Sequence, residues 1–105
     1  EVSRAQATLR EAAAEAGRLD GHVLDLDRDA ATRGWRGFTK LVPAGVASLI
    51  TPFNFPLNLV LHKLAPALAA GCPVLLKPAP ATPLTALQLG EWLAECDLPD
   101  GAFAV

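Results

Sequence analysis

The sequence contains no methionine and no tyrosine, and its aromatic share is only 6%. It also lacks a basic excess: nine Lys plus Arg stand against eleven Asp plus Glu, a formal charge of -2. That balance gives no electrostatic basis for gripping nucleic acid or an anionic membrane surface, and neither is expected as a partner. Cysteine is scarce. Cys72 and Cys96 cannot build a disulfide framework, and no metal-ligand spacing joins them to His22 or His62, so no metal site is expected. This usage fits a reducing compartment, with the cytoplasm as the default location. A clean membrane-spanning run is missing too, because the apolar stretch from Phe55 to Leu76 carries His62 and Lys63 and is broken by Pro66, Gly71 and Pro73. The first residues, EVSRAQATLREAAAEAG, carry Glu11 and Glu15 where a secretory signal would be apolar. Without an initiator Met, the chain is expected to begin inside a longer protein.

What is abundant is apolar material. With 51% hydrophobic and 19% charged residues over 105 positions, one modest folded unit is expected, with no compositional sign of disorder. Ser3 to Ala16 is rich in helix formers and stops at Gly17. Val23 to Asp27 alternates apolar and polar residues, Arg28 to Gly37 reads as a polar loop, and Phe38 to Val42 is strand-like again. The expectation is two antiparallel strands with one wet face.

From Pro43 onward the pattern becomes that of a parallel α/β unit whose sheet needs cover on both faces and further strands at its edges. Val46 to Ile50 predicts a strand. Leu57, Val60, Leu61, Leu64 and Leu68 follow helical spacing, with Gly71 placed to cap the C-terminus. Val74 to Leu76 predicts the next strand. Thr82 as N-cap and Pro83 in the first turn open a helix running to about Glu95. Leu98 to Gly101 turn the chain into a last strand from Phe103 to Val105. The result is βαβαβ with right-handed crossovers, so residues 1–42 and 43–105 form two unlike segments.

In open parallel sheets ligands bind beyond the carboxyl ends of the strands, which directs attention to Thr51-Pro52-Phe53-Asn54-Phe55-Pro56 and Lys77-Pro78-Ala79-Pro80. The first stretch is either a rigid connection with Asn54 as a turn or capping residue, or a frame that holds an amide donor toward a developing oxyanion. Lys77 is either a solvated strand-end lysine or one that bonds nucleotide hydroxyls or phosphate. Pro78 and Pro80 lack N–H groups, and no GxGxxG or P-loop occurs, so a dinucleotide site here must be of another type. Lys63 either snorkels or pairs with a carboxylate, or else organises the site or relays a proton. His62 reads as a surface or packing histidine and Cys72 as a packing cysteine, since no activating base is evident beside Cys72.

ITPFNFPLNLVLHKLAPALAAGCPVLLKPAPATPLTALQLGEWLAECDLPDGAFAV, Ile50 to Val105, resembles the cofactor-binding domain of the NAD(P)-dependent aldehyde dehydrogenase superfamily. The resemblance also reaches upstream through LVPAGVASLITPFN and the first helix. It implies an α/β fold, a partial Rossmann-like parallel βαβαβ unit preceded by a helix and two antiparallel strands of the bridging, oligomer-forming region. It further implies NAD or NADP as cofactor, a small aldehyde as substrate, and a homo-oligomer, dimer or tetramer, for the complete protein. Asn54 matches the family's oxyanion-hole asparagine. Thr51, Pro52 and Phe53 match the loop lying against the cofactor near its ribose and nicotinamide side. Lys77 matches the lysine that bonds the adenosine ribose, with Pro78, Ala79 and Pro80 matching the loop beside it. Lys63 matches a helix lysine sometimes assigned to a charge relay.

Two departures qualify the match. Many members carry Glu where Pro80 stands, a residue that accepts from the ribose hydroxyls and repels a 2′-phosphate; Pro80 does neither, which leaves NADP admissible. The family's nucleophilic cysteine and general-base glutamate belong downstream, and neither Cys72 nor Cys96 fits the nucleophile's motif. The reading is therefore an internal part of an aldehyde dehydrogenase, inactive alone. Its rivals are a non-catalytic binding or assembly module built on the same fold remnant, and a relative with acylating or semialdehyde-phosphate chemistry.

Overall fold

A computed structural model describes residues 1–105, in which helix α1, Val2–Ala16, leads into two short antiparallel strands, β1, Val23–Asp25, and β2, Arg36–Phe38. Then follow β3, Ala47–Ile50; α2, Asn58–Ala69; β4, Val74–Lys77; α3, Leu84–Ala94; and β5, Phe103–Ala104. Strands β3, β4 and β5 form a parallel sheet in chain order, with Ala47 opposite Val74 and Val74 opposite Phe103. The predicted βαβαβ unit is thus present. No helix is long and apolar enough to cross a membrane.

Helix α2 ends as its glycine predicts. Gly71 adopts φ +73, its N–H donates to the Leu68 carbonyl and that of Cys72 to Ala67, which together close a Schellman motif. A Cβ at Gly71 would also stand 3.0 Å from Pro43 Cγ. Pro66 lies inside α2 and leaves the His62 carbonyl without its usual donor, yet the helix continues to Ala69. Packing sustains it: Val60, Leu61 and Leu64 are among the most deeply buried side chains, clustered with Ala5, Val74, Leu76, Ala86 and Leu89.

Two expectations are corrected. First, the second antiparallel strand is Arg36–Phe38, not Phe38 to Val42. Thr39 donates its N–H to the His22 carbonyl at 2.8 Å and accepts the His22 N–H on its hydroxyl at 2.9 Å, which ends the ladder. Beyond that point Gly21 lies so close to the Thr39 carbonyl that a Cβ would overlap it, and Lys40 to Val42 have no strand to pair with. Second, Thr82 does not cap α3. Pro83 is the N-cap residue and already helical at φ -78, ψ -28, while the Thr82 hydroxyl is buried without a hydrogen bond. The parallel sheet, whose pattern calls for cover on both faces, is covered by this chain on one face only. Along β4, Val74 and Leu76 are buried whereas Leu75 is 52% exposed, and Ile50 on β3 is 63% exposed. With strand order following chain order, successive crossovers of one hand put both helices on the same side.

The β1–β2 arm projects from this body, and the molecule extends 63 × 27 × 24 Å. Its radius of gyration is 18.4 Å, against about 13 Å for a compact chain of roughly 100 residues. The arm's loop is tied by Asp29, whose carboxylate accepts the Ala31 N–H at 2.8 Å, the Thr32 N–H at 3.1 Å and the Thr32 hydroxyl at 3.2 Å. The backbone N–H groups of Thr32 and Ala31 hold its pKa below the ordinary value.

Candidate functional site

The two loops singled out above leave adjacent strands at the same edge. Ile50 pairs with Lys77 at the end of the parallel register, and the Thr51 N–H donates to the Lys77 carbonyl at 3.2 Å. Thr51 is buried, so the loop enters from a fixed point. One turn into α2, Lys63 reaches back and donates from Nζ to the Ile50 carbonyl at 2.6 Å. This bond joins helix, strand end and loop, and makes Lys63 a fastener of the loop's entry while its side chain remains largely in solvent.

Past Thr51 the loop turns outward. Pro52, Phe53, Asn54 and Phe55 are all exposed, with Phe53 at 61% and Phe55 at 55%. Phe55 has φ +45, the only positive φ outside glycine. A side-chain-bearing residue there costs about 1–3 kcal/mol, which persists only when neighbouring contacts over-determine the conformation. The strain falls directly after Asn54, whose amide makes no hydrogen bond within the chain and has both N–H donors free.

The contacts that hold the loop's far end come from α1. A Glu1 carboxylate oxygen accepts the Leu57 N–H at 2.8 Å and the Asn58 N–H at 3.1 Å. Asn58, 8% exposed, accepts from the Thr8 hydroxyl at 3.1 Å, and its amide nitrogen lies 3.2 Å from His62 Nε2. With Asn58 Nδ2 donating, that imidazole nitrogen is the acceptor. None of Glu1, Thr8 or Asn58 was singled out by sequence reasoning. Their partners lie 50 to 57 positions away, and no local pattern announces a contact of that span.

Lys77 is exposed and forms no ion pair; the chain's single salt bridge joins Arg18 to Glu15 elsewhere. Beside it Ala79 is buried and accepts the Thr82 N–H, which anchors a loop whose Pro78 is half-buried and whose Pro80 is exposed. Thr51, Lys63 and Lys77 therefore converge on the carbonyls of Ile50 and Lys77, while no hydrogen bond joins Asn54 to either lysine. Cys72 sits at the opposite, amino-terminal edge of β4, and Cys96 follows α3, where its thiol lies 3.4 Å from the Trp92 carbonyl oxygen. Neither sulfur is at the edge that carries Asn54. The edge thus presents an uncommitted amide donor, an uncommitted ammonium and two aromatic faces.

The family model for aldehyde dehydrogenases matches residues 1–105. The 3-sulfolactaldehyde dehydrogenase of Priestia aryabhattai is 49% identical over 105 residues, covering all of this chain and 22% of that protein. Aldehyde dehydrogenase 21 from Physcomitrella patens, solved with succinate, superposes with a TM-score of 0.92 at 50% identity over 97% of this chain and 21% of that one. The NADP-dependent glyceraldehyde-3-phosphate dehydrogenase of Bacillus halodurans, solved with NADP, gives 0.85 at 37% identity over 97% of this chain and 22% of its own. PnpE, from a Pseudomonas species and solved with nicotinamide adenine dinucleotide, gives 0.85 at 35% identity over 95% of this chain and 20% of its own. This chain spans 22% of the length of the sulfolactaldehyde enzyme it matches. Matched over its full extent by the family's sequence model and over 97% of it by a solved structure of that fold, the chain belongs to the aldehyde dehydrogenase family.

Proposed function

We propose that this chain supplies the oxyanion donor and part of the cofactor cleft of an NAD(P)-dependent aldehyde dehydrogenase that oxidises an aldehyde to a carboxylic acid. The observation that carries this reading is the juxtaposition of the Asn54 loop and the Lys77 loop at the carboxyl edge of adjacent parallel strands. When a thiolate adds to an aldehyde, negative charge develops on the carbonyl oxygen. An amide N–H from Asn54, carried on a loop tied at both ends, would stabilise that charge more than it stabilises the neutral substrate. The nucleophile and general base come from outside these residues, so the chain alone does not turn over.

The residues at this edge suit a dinucleotide. The Lys77 ammonium, free of any carboxylate, can bond ribose hydroxyls, and Thr51, Pro52 and Phe53 offer a rigid wall beside it, while Pro78, Ala79 and Pro80 bound the far side. When bound, such a dinucleotide would supply the hydride acceptor for the oxidation. No carboxylate lies in Lys77-Pro78-Ala79-Pro80 to repel a 2′-phosphate, so both NAD and NADP fit this reading. Lys63 organises the loop through the Ile50 carbonyl, a role that its 2.6 Å bond supports over proton relay. Residues 1–42 would serve as a helix and bridging strands for a homodimer or tetramer, which the exposure of Val23, Trp35 and Phe38 supports; residues 43–105 would begin the cofactor domain.

Asn54→Ala in the complete enzyme tests the reading. The expected outcome is a fall in kcat of about a hundredfold or more, with the dissociation constant for NAD(P) unchanged. Unchanged turnover, with chemistry shown to be rate-limiting, removes Asn54 from the mechanism.

A further inference from the structure

We propose that Glu1 is a positioning residue for Asn54, fastening the far end of the loop that presents the amide. The proposal rests on the role assigned to Asn54 above.

The loop is fixed at its entry by the Thr51 ladder bond and by Lys63, but its exit runs through Phe55 at φ +45 into the first turn of α2. That turn needs acceptors. The first N–H groups of a helix have no partners within it, and Leu57, in the N-cap position, has no side-chain oxygen to offer. The Glu1 carboxylate supplies the missing acceptor to both Leu57 and Asn58, from 56 and 57 positions away. A carboxylate also suits the positive end of the helix dipole, and charge-assisted bonds to backbone N–H are stronger than neutral ones.

Glu1 is itself held. Its carbonyl accepts the Ala5 N–H at 3.0 Å, and Ala5 is 2% exposed within the core cluster that includes Val60, Leu61 and Leu64. Thr8, one turn further along, bonds Asn58. Positions 1, 5 and 8 share one stripe of α1, so the bonds of Glu1 and Thr8 arrive in register on the start of α2. Asn54 is three residues before Leu57, with the strained Phe55 between them, so slack at Leu57 is expressed at the amide. Lys63 at the entry and Glu1 at the exit together leave the loop few ways to move.

The test is a double-mutant cycle in the complete enzyme with Glu1→Ala, Asn54→Ala and the pair. Glu1→Ala is expected to lower kcat about tenfold, as a small displacement of a catalytic donor does, with NAD(P) affinity unchanged. In the Asn54→Ala background the same substitution is expected to cost nothing further in kcat, because the group it positions is gone. Glu1→Gln keeps an acceptor oxygen and should recover most of the rate. Equal losses from Glu1→Ala with and without Asn54, or full kcat per titrated active site, overturn the proposal and leave Glu1 a structural residue. A silent Asn54→Ala instead overturns the reading on which it rests. Should Glu1→Ala fail to fold, Glu1→Asp, shorter by one methylene, enters the same cycle with a smaller factor and the same criterion.

Discussion

The antiparallel arm and the helix-covered sheet are made from similar apolar residues and treat them in opposite ways. Val23 on β1 is 86% exposed and Val60 on α2 is 1% exposed, although each lies in a regular element whose backbone is paired. The difference lies in what each element can reach. α2 has α1 on one side and β4 on the other, whereas β1 has only β2, a two-stranded ribbon that is marginal in water by itself. Local pairing shapes the arm; burial holds the body.

The largest expected effect breaks the body's side of this contrast. Leu64→Ala, at a site 2% exposed and central to the core cluster, should cost about 2–5 kcal/mol through lost transfer energy and the cavity left behind. Denaturant unfolding of the complete protein checks it, and a loss under about 1 kcal/mol would mean the cluster can collapse around the gap. Gly71→Ala is next. It forces a Cβ into φ +73 and to 3.0 Å from Pro43 Cγ, for an expected loss of about 1–2 kcal/mol. An unchanged midpoint would show that the Schellman turn relaxes without cost.

The smallest effect sharpens the arm's side and concerns pH. Asp29 is fully exposed, and its carboxyl is held low by the backbone donors of Thr32 and Ala31. With the folded-state value below the unfolded one, its stabilisation is complete above the unfolded aspartate pKa of about 3.9 and is lost as pH falls toward the folded value. The amide proton shifts of Ala31 and Thr32 should therefore stay constant from neutral pH and move only in the acid range. A transition at or above about 3.9 would contradict the assignment.

What could be read from the residues follows the same division. The body's elements were legible because period and punctuation agree: Leu57 to Leu68 mark a face of α2, Gly71 ends it, and the two loops fall at the carboxyl edge. Their placement beside each other follows from parallel pairing alone. In the arm, β2 was displaced because its register is set by the His22–Thr39 contact rather than by the apolar run after Phe38. Thr82 failed as a cap because Pro83 is already helical. Glu1 went unseen for a different reason. Its partners are backbone N–H groups at the start of another helix, a long-range contact that leaves no periodic trace. Sequence reading finds a site's loops through the strands that carry them; it misses what braces them from afar.

The chain-order arrangement of β3, β4 and β5 has a bearing on synthesis. Each strand emerging from the ribosome finds its neighbour already made, so the sheet can grow at its advancing edge without waiting for distant sequence. α1 is the exception. It is made well before its partner helix, which begins at Asn58, so its docking onto α2 must wait through the arm and β3. During that interval the α2 residues that pack on Ala5 are not yet made, and the loop bearing Asn54 gains its outer brace only when the earlier helix meets the later one.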